Sequence, residues 1–229
     1  MSKLKGFELA EHVRKECLHL NTSMNLTQLL LDIYAIKSQN SIICPVEKVA
    51  STFWRRVVYL AENEAFKSKH PYQVSINSAL GQKFTFLKNG NDNRLRDDFK
   101  FVFVRDPYNR VLSAYIDKVF SPNPMFWDIM GHPAITKFRN KGGDSAKRKC
   151  FHDATFQEFI QFVLWSEKEQ KMIDSHFVQA SEKCRPCFVN YSYIGKNRPT
   201  ALQLLYKWIF SLVGNFVFAE LRAFREKKG

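Results

Sequence analysis

At 229 residues, with 45% hydrophobic and 14% aromatic side chains, the chain carries enough apolar material for one ordinary α/β domain, which excludes general disorder. A formal net charge of +13 calls for a polyanionic partner: nucleic acid, acidic lipid, acidic glycan or a phosphorylated small molecule. Five cysteines (Cys17, Cys44, Cys150, Cys184 and Cys187) are too few for a disulfide scaffold, and their odd number leaves at least one without an intramolecular mate.

No apolar run in the first thirty residues has the length of a signal peptide or membrane anchor. Residues 1–38 read as helical, from the apolar series Leu4, Phe7, Ala10, Val13 and then Leu26, Leu30, Ile33, Tyr34. Ser41–Cys44 is a short apolar run ended by Pro45, a buried strand. Val49, Phe53, Val57 and Ala61 then recur every fourth residue, the stripe of a helix. Phe99–Val104 is the clearest strand, and Asp106-Pro107 after it is a helix start, Asp as cap and Pro as first helical residue. The buried face of that helix is expected along Val111, Tyr115 and Val119, with Leu112, Ile116 and Phe120. Pro122, Pro124 and Gly131 mark a loop, 137–149 a solvated basic loop, and Thr155–Trp165 a helix. Phe188–Ile194 reads as a strand and 199–224 as helical; within the latter, 201–221 is a buried or amphipathic helix, with a marginal membrane span as the alternative. Asn21, Asn25 and Asn190 open N-x-S/T acceptors that suit a secretory lumen. Alternation of strands and helices predicts an α/β fold with a central parallel sheet.

Two segments carry chemistry. In the first, the strand ending at Cys44 feeds a tight loop that opens a helix, with Lys48, Ser51 and Thr52 at the junction. Free amides and the positive helix end would cradle an anion there, and Lys48 adds a point charge, without the glycines of a nucleotide triphosphatase loop. The bland alternative is a helix start with a surface lysine. In the second, Arg105 stands at the carboxyl end of a buried strand and Ser113 follows two helical turns later, a guanidinium and a hydroxyl able to grip a phosphate. There the alternative is an Arg105 paired with a neighbouring carboxylate.

Together, K-V-A-S-T-x-W after one strand and R-D-P-x-x-R-x-x-S-A-Y after another resemble the Golgi carbohydrate sulfotransferases, in the group of the chondroitin and dermatan 4-O-sulfotransferases and the HNK-1 sulfotransferase. Asp117-Lys118, Thr155-Phe156-x-x-Phe159, Asp174-x-His176, Cys184-Arg-Pro-Cys187 and Tyr191-x-x-Ile-Gly-Lys196 follow in the same order. The resemblance implies a P-loop-like sulfotransferase fold over 41–198, between an N-terminal helical segment, 1–40, and a divergent C-terminal helix, 199–229. It implies 3′-phosphoadenylyl sulfate (PAPS) as donor, no metal, and a polyanionic glycan such as chondroitin or dermatan as acceptor. The 5′-phosphosulfate loop matches Glu47, Lys48, Val49, Ala50, Ser51, Thr52 and Phe53. The 3′-phosphate site matches Arg105, Asp106, Pro107, Tyr108, Asn109, Arg110, Val111, Leu112 and Ser113. Lys48 would act in catalysis, with His70 or His176 as general base. The resemblance also implies a Golgi location, and membrane association through that context or the C-terminal helix. Relatives carry an acidic residue soon after the Gly-Lys and a long further region, whereas Asn197-Arg198-Pro199 stands here, the pattern expected of a shortened and even inactive homologue. A competing class is a zinc-stabilised nucleic-acid-binding protein, with Cys150, His152, Cys184 and Cys187 as ligands; it leaves both anion motifs unexplained, and nucleic acid is not the expected partner.

Overall fold

The computed structural model of the chain describes residues 4–19, 33–63, 70–81, 85–86, 93–139, 150–169, 171 and 174–196. In chain order these form α1 (Leu4–His19), β1 (Tyr34–Ile36), β2 (Ser41–Cys44), α2 (Ser51–Glu62), α3 (Ile76–Gly81), β3 (Thr85–Phe86), α4 (Arg94–Asp97) and β4 (Phe99–Val104). They continue with α5 (Pro107–Tyr115), α6 (Pro124–Phe126), α7 (His132–Phe138), α8 (Phe156–Lys168), α9 (Ala180–Cys184), α10 (Pro186–Val189) and β5 (Tyr193–Lys196). Two compact units result: residues up to Arg105 together with those from Ala180 onward form the first, and Asp106–Gln179 the second.

The first unit is built on a five-stranded sheet of order β3-β1-β2-β4-β5. β2, β4 and β5 run parallel, and β1 lies antiparallel to both β2 and β3. The sheet is therefore parallel where the two motif-bearing strands meet and antiparallel toward one edge. β2 is buried along its whole length and β4 along nearly all of it, which is why both read as unbroken apolar runs rather than alternating ones. Lys100 fits inside β4 because its ammonium reaches the carbonyls of Arg96 and Asp98 at the strand's start. Trp54 of α2 stacks on Phe103 with centroids 4.5 Å apart, and Phe7 of α1 meets Tyr193 of β5 edge-on at 5.2 Å. Disulfides Cys17–Cys187 and Cys44–Cys184 join α1 to α10 and β2 to α9.

The second unit buries Ala114, Val119, Phe126, Met130, Ile135, Phe151, Phe159 and Phe177 around α5, α7 and α8. Thr155 caps α8 in a reciprocal box with Glu158. The two carboxylate oxygens of Glu158 also accept from Arg139, Oε1 from Nε at 2.6 Å and Oε2 from Nη2 at 2.8 Å.

Four sequence expectations are corrected. Tyr34–Ile36 is a strand, not the tail of a helix: its three residues pair with β2, and Ile33–Ile36 are all buried rather than showing one face. The stretch Pro122–Gly131, expected to be a loop, contains α6 and a π-helical turn, Trp127–Gly131; Pro124 serves as a first helical residue instead of a breaker. Phe188 and Val189 belong to α10, and the strand begins only at Tyr193, after the left-handed Asn190 turns the chain. The buried face of α5 runs through Arg110, Ala114 and Val119, while Leu112, Ile116 and Phe120 are exposed. A π-helical turn over Ile116–Phe120 widens the repeat there, placing Val119 in line with Ala114. Most of the basic segment 137–149 and all of 199–224 lie outside the described residues.

Candidate functional site

The parallel pairing of β2 with β4 and of β4 with β5 brings the carboxyl ends of three strands to one edge of the first unit. The loop 45–50 leaves β2 there, Arg105 follows β4, and Lys196 ends β5 opposite Val104. Ligands bind along such an edge in open α/β sheets.

The loop makes its turn without glycine. Lys48 (φ 63°) and Ala50 (φ 59°) both take left-handed backbone, and Ala50 is the N-cap of α2 without any side-chain cap bond. The first amides of α2 thus open toward the loop, with the positive end of the helix behind them. Ser51 and Phe53 are buried and Thr52 is exposed; Val49 is buried, and its amide donates to Val46 O at 3.2 Å. Arg105, half-buried, donates from Nη1 to the carbonyl oxygen of Lys48 at 3.3 Å. The expected loop residues and Arg105 are therefore brought together, with Arg105 bonded to the loop backbone rather than, among the described residues, to a carboxylate. Glu47 faces inward: it is 4% exposed, its Oε2 accepts from Lys183 Nζ at 2.5 Å and its Oε1 from Arg55 at 3.4 Å. Sequence reasoning missed Lys183 and Arg55, since no local pattern ties residue 47 to residue 183.

His70 caps the 3₁₀ turn Pro71–Gln73, its Nδ1 accepting from the Tyr72 amide at 3.1 Å. A neutral ring so bonded carries its proton on Nε2 and has no acceptor nitrogen left.

The rest of the second motif lies in the second unit. Asp106 caps α5, accepting from the Asn109 amide at 2.9 Å and from Asn109 Nδ2 at 3.0 Å, with Pro107 as first helical residue. Tyr108 is largely exposed, Leu112 exposed, and Val111 and Ser113 half-buried. Arg110 is buried and donates to the carbonyls of Val178 at 2.7 Å and His176 at 3.3 Å. Arg110 thus fixes the segment that presents His176. The Nδ1 of His176 lies 2.5 Å from Oδ1 of Asp174, which also accepts from the His176 amide at 2.9 Å. A carboxylate can only accept, so Nδ1 carries the hydrogen and the neutral ring keeps a lone pair on Nε2. Phe126 meets this imidazole edge-on at 5.7 Å. The signal in the sequence was the spacing Asp174-x-His176; the part played by Arg110 had none.

The zinc-stabilised reading loses two of its four proposed ligands. Cys184 and Cys187 are each in a disulfide, so neither offers a thiolate to a metal. Cys150, the one free cysteine among the described residues, lies 3.2 Å from His152 Nδ1. No group of three or more His, Cys, Asp or Glu placed to hold a metal occurs among the described residues. No helix among them is long and apolar enough to cross a membrane.

The profile described as Sulfotransferase family matches residues 32–206. Human carbohydrate sulfotransferase 9 is 31% identical over 169 residues, covering 72% of this chain and 37% of its own. Carbohydrate sulfotransferase 8 of Mus musculus is 29% identical over 157 residues, covering 68% and 37%. Carbohydrate sulfotransferase 12 of Xenopus laevis is 31% identical over 189 residues, covering 72% and 45%. The chain spans less than half the length of these three curated relatives. No solved structure matches it.

Proposed function

This chain belongs to the sulfotransferase family, and from that premise we propose that it transfers a sulfuryl group from PAPS to a hydroxyl of a carbohydrate. The observation that carries the reading is the bond from Arg105 to the Lys48 carbonyl, which joins the two anion-binding motifs at one sheet edge. The loop amides and Lys48 suit the 5′-phosphosulfate, and Arg105 suits the 3′-phosphate; Asp106–Ser113 enter the reading through the sequence motif. The acceptor oxygen attacks sulfur, the bond from sulfur to the 5′-phosphate oxygen breaks, and adenosine 3′,5′-bisphosphate leaves. Lys48 offsets charge growing on that bridging oxygen, electrostatic stabilisation that gains most in the transition state. The acceptor proton passes to a general base, for which His176 is proposed through the sequence motif Asp174-x-His176 and the tautomer that keeps a lone pair on its Nε2; base catalysis of this kind contributes about 10²- to 10⁴-fold.

The net charge of +13 supports a polyanionic acceptor of the chondroitin or dermatan class. Two disulfides support an oxidising lumen such as the Golgi, where an exposed Asn190 in an N-x-S acceptor would carry glycan. The test is transfer from radiolabelled PAPS to desulfated chondroitin and dermatan, beside calorimetric titration with adenosine 3′,5′-bisphosphate. Label in the glycan and saturable nucleotide binding are expected. Nucleotide binding without transfer would overturn the acceptor, and absence of nucleotide binding would overturn the donor.

A further inference from the structure

We infer that Lys183 and Glu47 are positioning residues for the donor: their buried ion pair sets the loop 45–50 in the shape that receives the phosphosulfate. The inference rests on the donor reading above and adds Lys183, which lies outside the motif residues.

Two left-handed residues in a loop without glycine are a conformation that the chain resists locally, at about 1 kcal/mol or more each. Something outside the loop has to hold it. At its start, Cys44 is bonded covalently to Cys184. Three residues on, Glu47 is held by Lys183, the neighbour of that same cysteine, and both side chains are only 5% exposed. Helix α9 thus grips the loop twice, at Cys44 and at Glu47. Arg105 then fixes the next carbonyl, that of Lys48. The left-handed turn at Lys48 begins at the point where the ion pair ends.

The pair also removes an electrostatic fault. A carboxylate beside a loop meant for an anion would repel it. Lys183 and Arg55 both donate to Glu47, so cations meet its carboxylate on both oxygens. Buried pairs of this kind add little net stability against an apolar pair of equal volume, so the geometry and charge they impose are what distinguish them.

The experiment uses the full chain in three forms, wild type, K183R and the double variant E47Q/K183M, and reads thermal melting and calorimetric binding of adenosine 3′,5′-bisphosphate. The double variant removes both charges of the Lys183–Glu47 pair, leaves Arg55 its hydrogen bond to Tyr34 Oη, and should melt close to wild type, yet bind the nucleotide about tenfold to a hundredfold more weakly, the usual consequence of a displaced contact set. Its KM for PAPS should rise while the KM for the glycan stays unchanged. K183R keeps the pair and should bind within about threefold of wild type. If the double variant does not fold, E47Q/K183Q, which also removes both charges of the pair, gives the same readout. A folded double variant of either kind that binds like wild type overturns the inference and leaves the donor reading standing. A wild type that fails to bind the nucleotide removes the donor reading, and this inference with it.

Discussion

Arg105 Nη1 donates to the carbonyl oxygen of Lys48 at 3.3 Å, across 57 residues of sequence. The residue proposed to take the 3′-phosphate therefore also braces the loop proposed to take the 5′ end. Arg105→Ala should weaken adenosine 3′,5′-bisphosphate binding by about 1.5–3 kcal/mol, the size of a charge-assisted contact. Arg105→Lys should recover only part of it, because an ammonium lacks the fork that can serve a phosphate and a carbonyl together. Calorimetry decides; wild-type affinity in Arg105→Ala would sink the assignment.

The two candidate bases separate by tautomer. His176→Ala should lower kcat about 10²- to 10⁴-fold without changing nucleotide affinity. Asp174→Asn keeps the ring but loosens control of its proton, and a loss of about tenfold to a hundredfold is expected. His70→Ala should cost about 1 kcal/mol of stability through the lost cap and leave kcat near wild type. A kcat loss confined to His70→Ala would reverse the assignment.

Acid should act on the second unit through Glu158. Its hydrogen bonds from Arg139, ahead of those from Thr155, hold the carboxyl below its ordinary 4.5 despite the opposing effect of burial. A carboxyl depressed in the folded state contributes stability above its unfolded value and loses it as pH falls through the folded one. Glu158→Gln preserves the cap geometry and should destabilise by about 1–2 kcal/mol at neutral pH. Melting curves from about pH 7 down to about pH 3 should show the gap to wild type closing with acid. A gap constant across that range would mean the carboxylate charge is irrelevant.

Asn190 should carry an N-linked glycan when the chain is made in a secretory compartment. It is exposed and left-handed between α10 and β5, and Ser192 completes the acceptor. An electrophoretic shift on treatment with an amidase that removes N-glycans should shrink by one glycan in Asn190→Gln. An identical shift in both proteins would exclude modification there.

Strands whose environment is uniform were legible in the sequence: Ser41–Cys44 and Phe99–Val104 are buried along nearly their whole length and announce themselves as apolar runs. Asp106-Pro107 was legible because a cap is a local contract between neighbours. Gly195 shows how a motif residue can be read without its reason. A Cβ there would collide with the Phe103 ring, a contact across β4 and β5 that no one-dimensional pattern contains. The π-helical turn after Tyr115 was illegible for a related cause: the apolar series Leu112, Ile116, Phe120 has perfect helical spacing, yet burial follows Arg110 and Ala114. The brace on Glu47 needed the fold itself, since Lys183 reaches it from 136 residues away.

The order in which the chain is synthesised bears on both disulfides. Cys17 and Cys44 leave the ribosome before the second unit, Asp106–Gln179, and their mates Cys184 and Cys187 only after it. At about 5–20 residues per second, the two early thiols wait several seconds for their mates, with only each other and, late in that interval, Cys150 to pair with. A Cys17–Cys44 bond closes a far shorter loop than either native one, and loop-closure entropy favours it first. A chain that closes that bond reaches the native pairing only by thiol–disulfide exchange, so the loop proposed to bind the donor matures faster where an isomerase speeds that exchange.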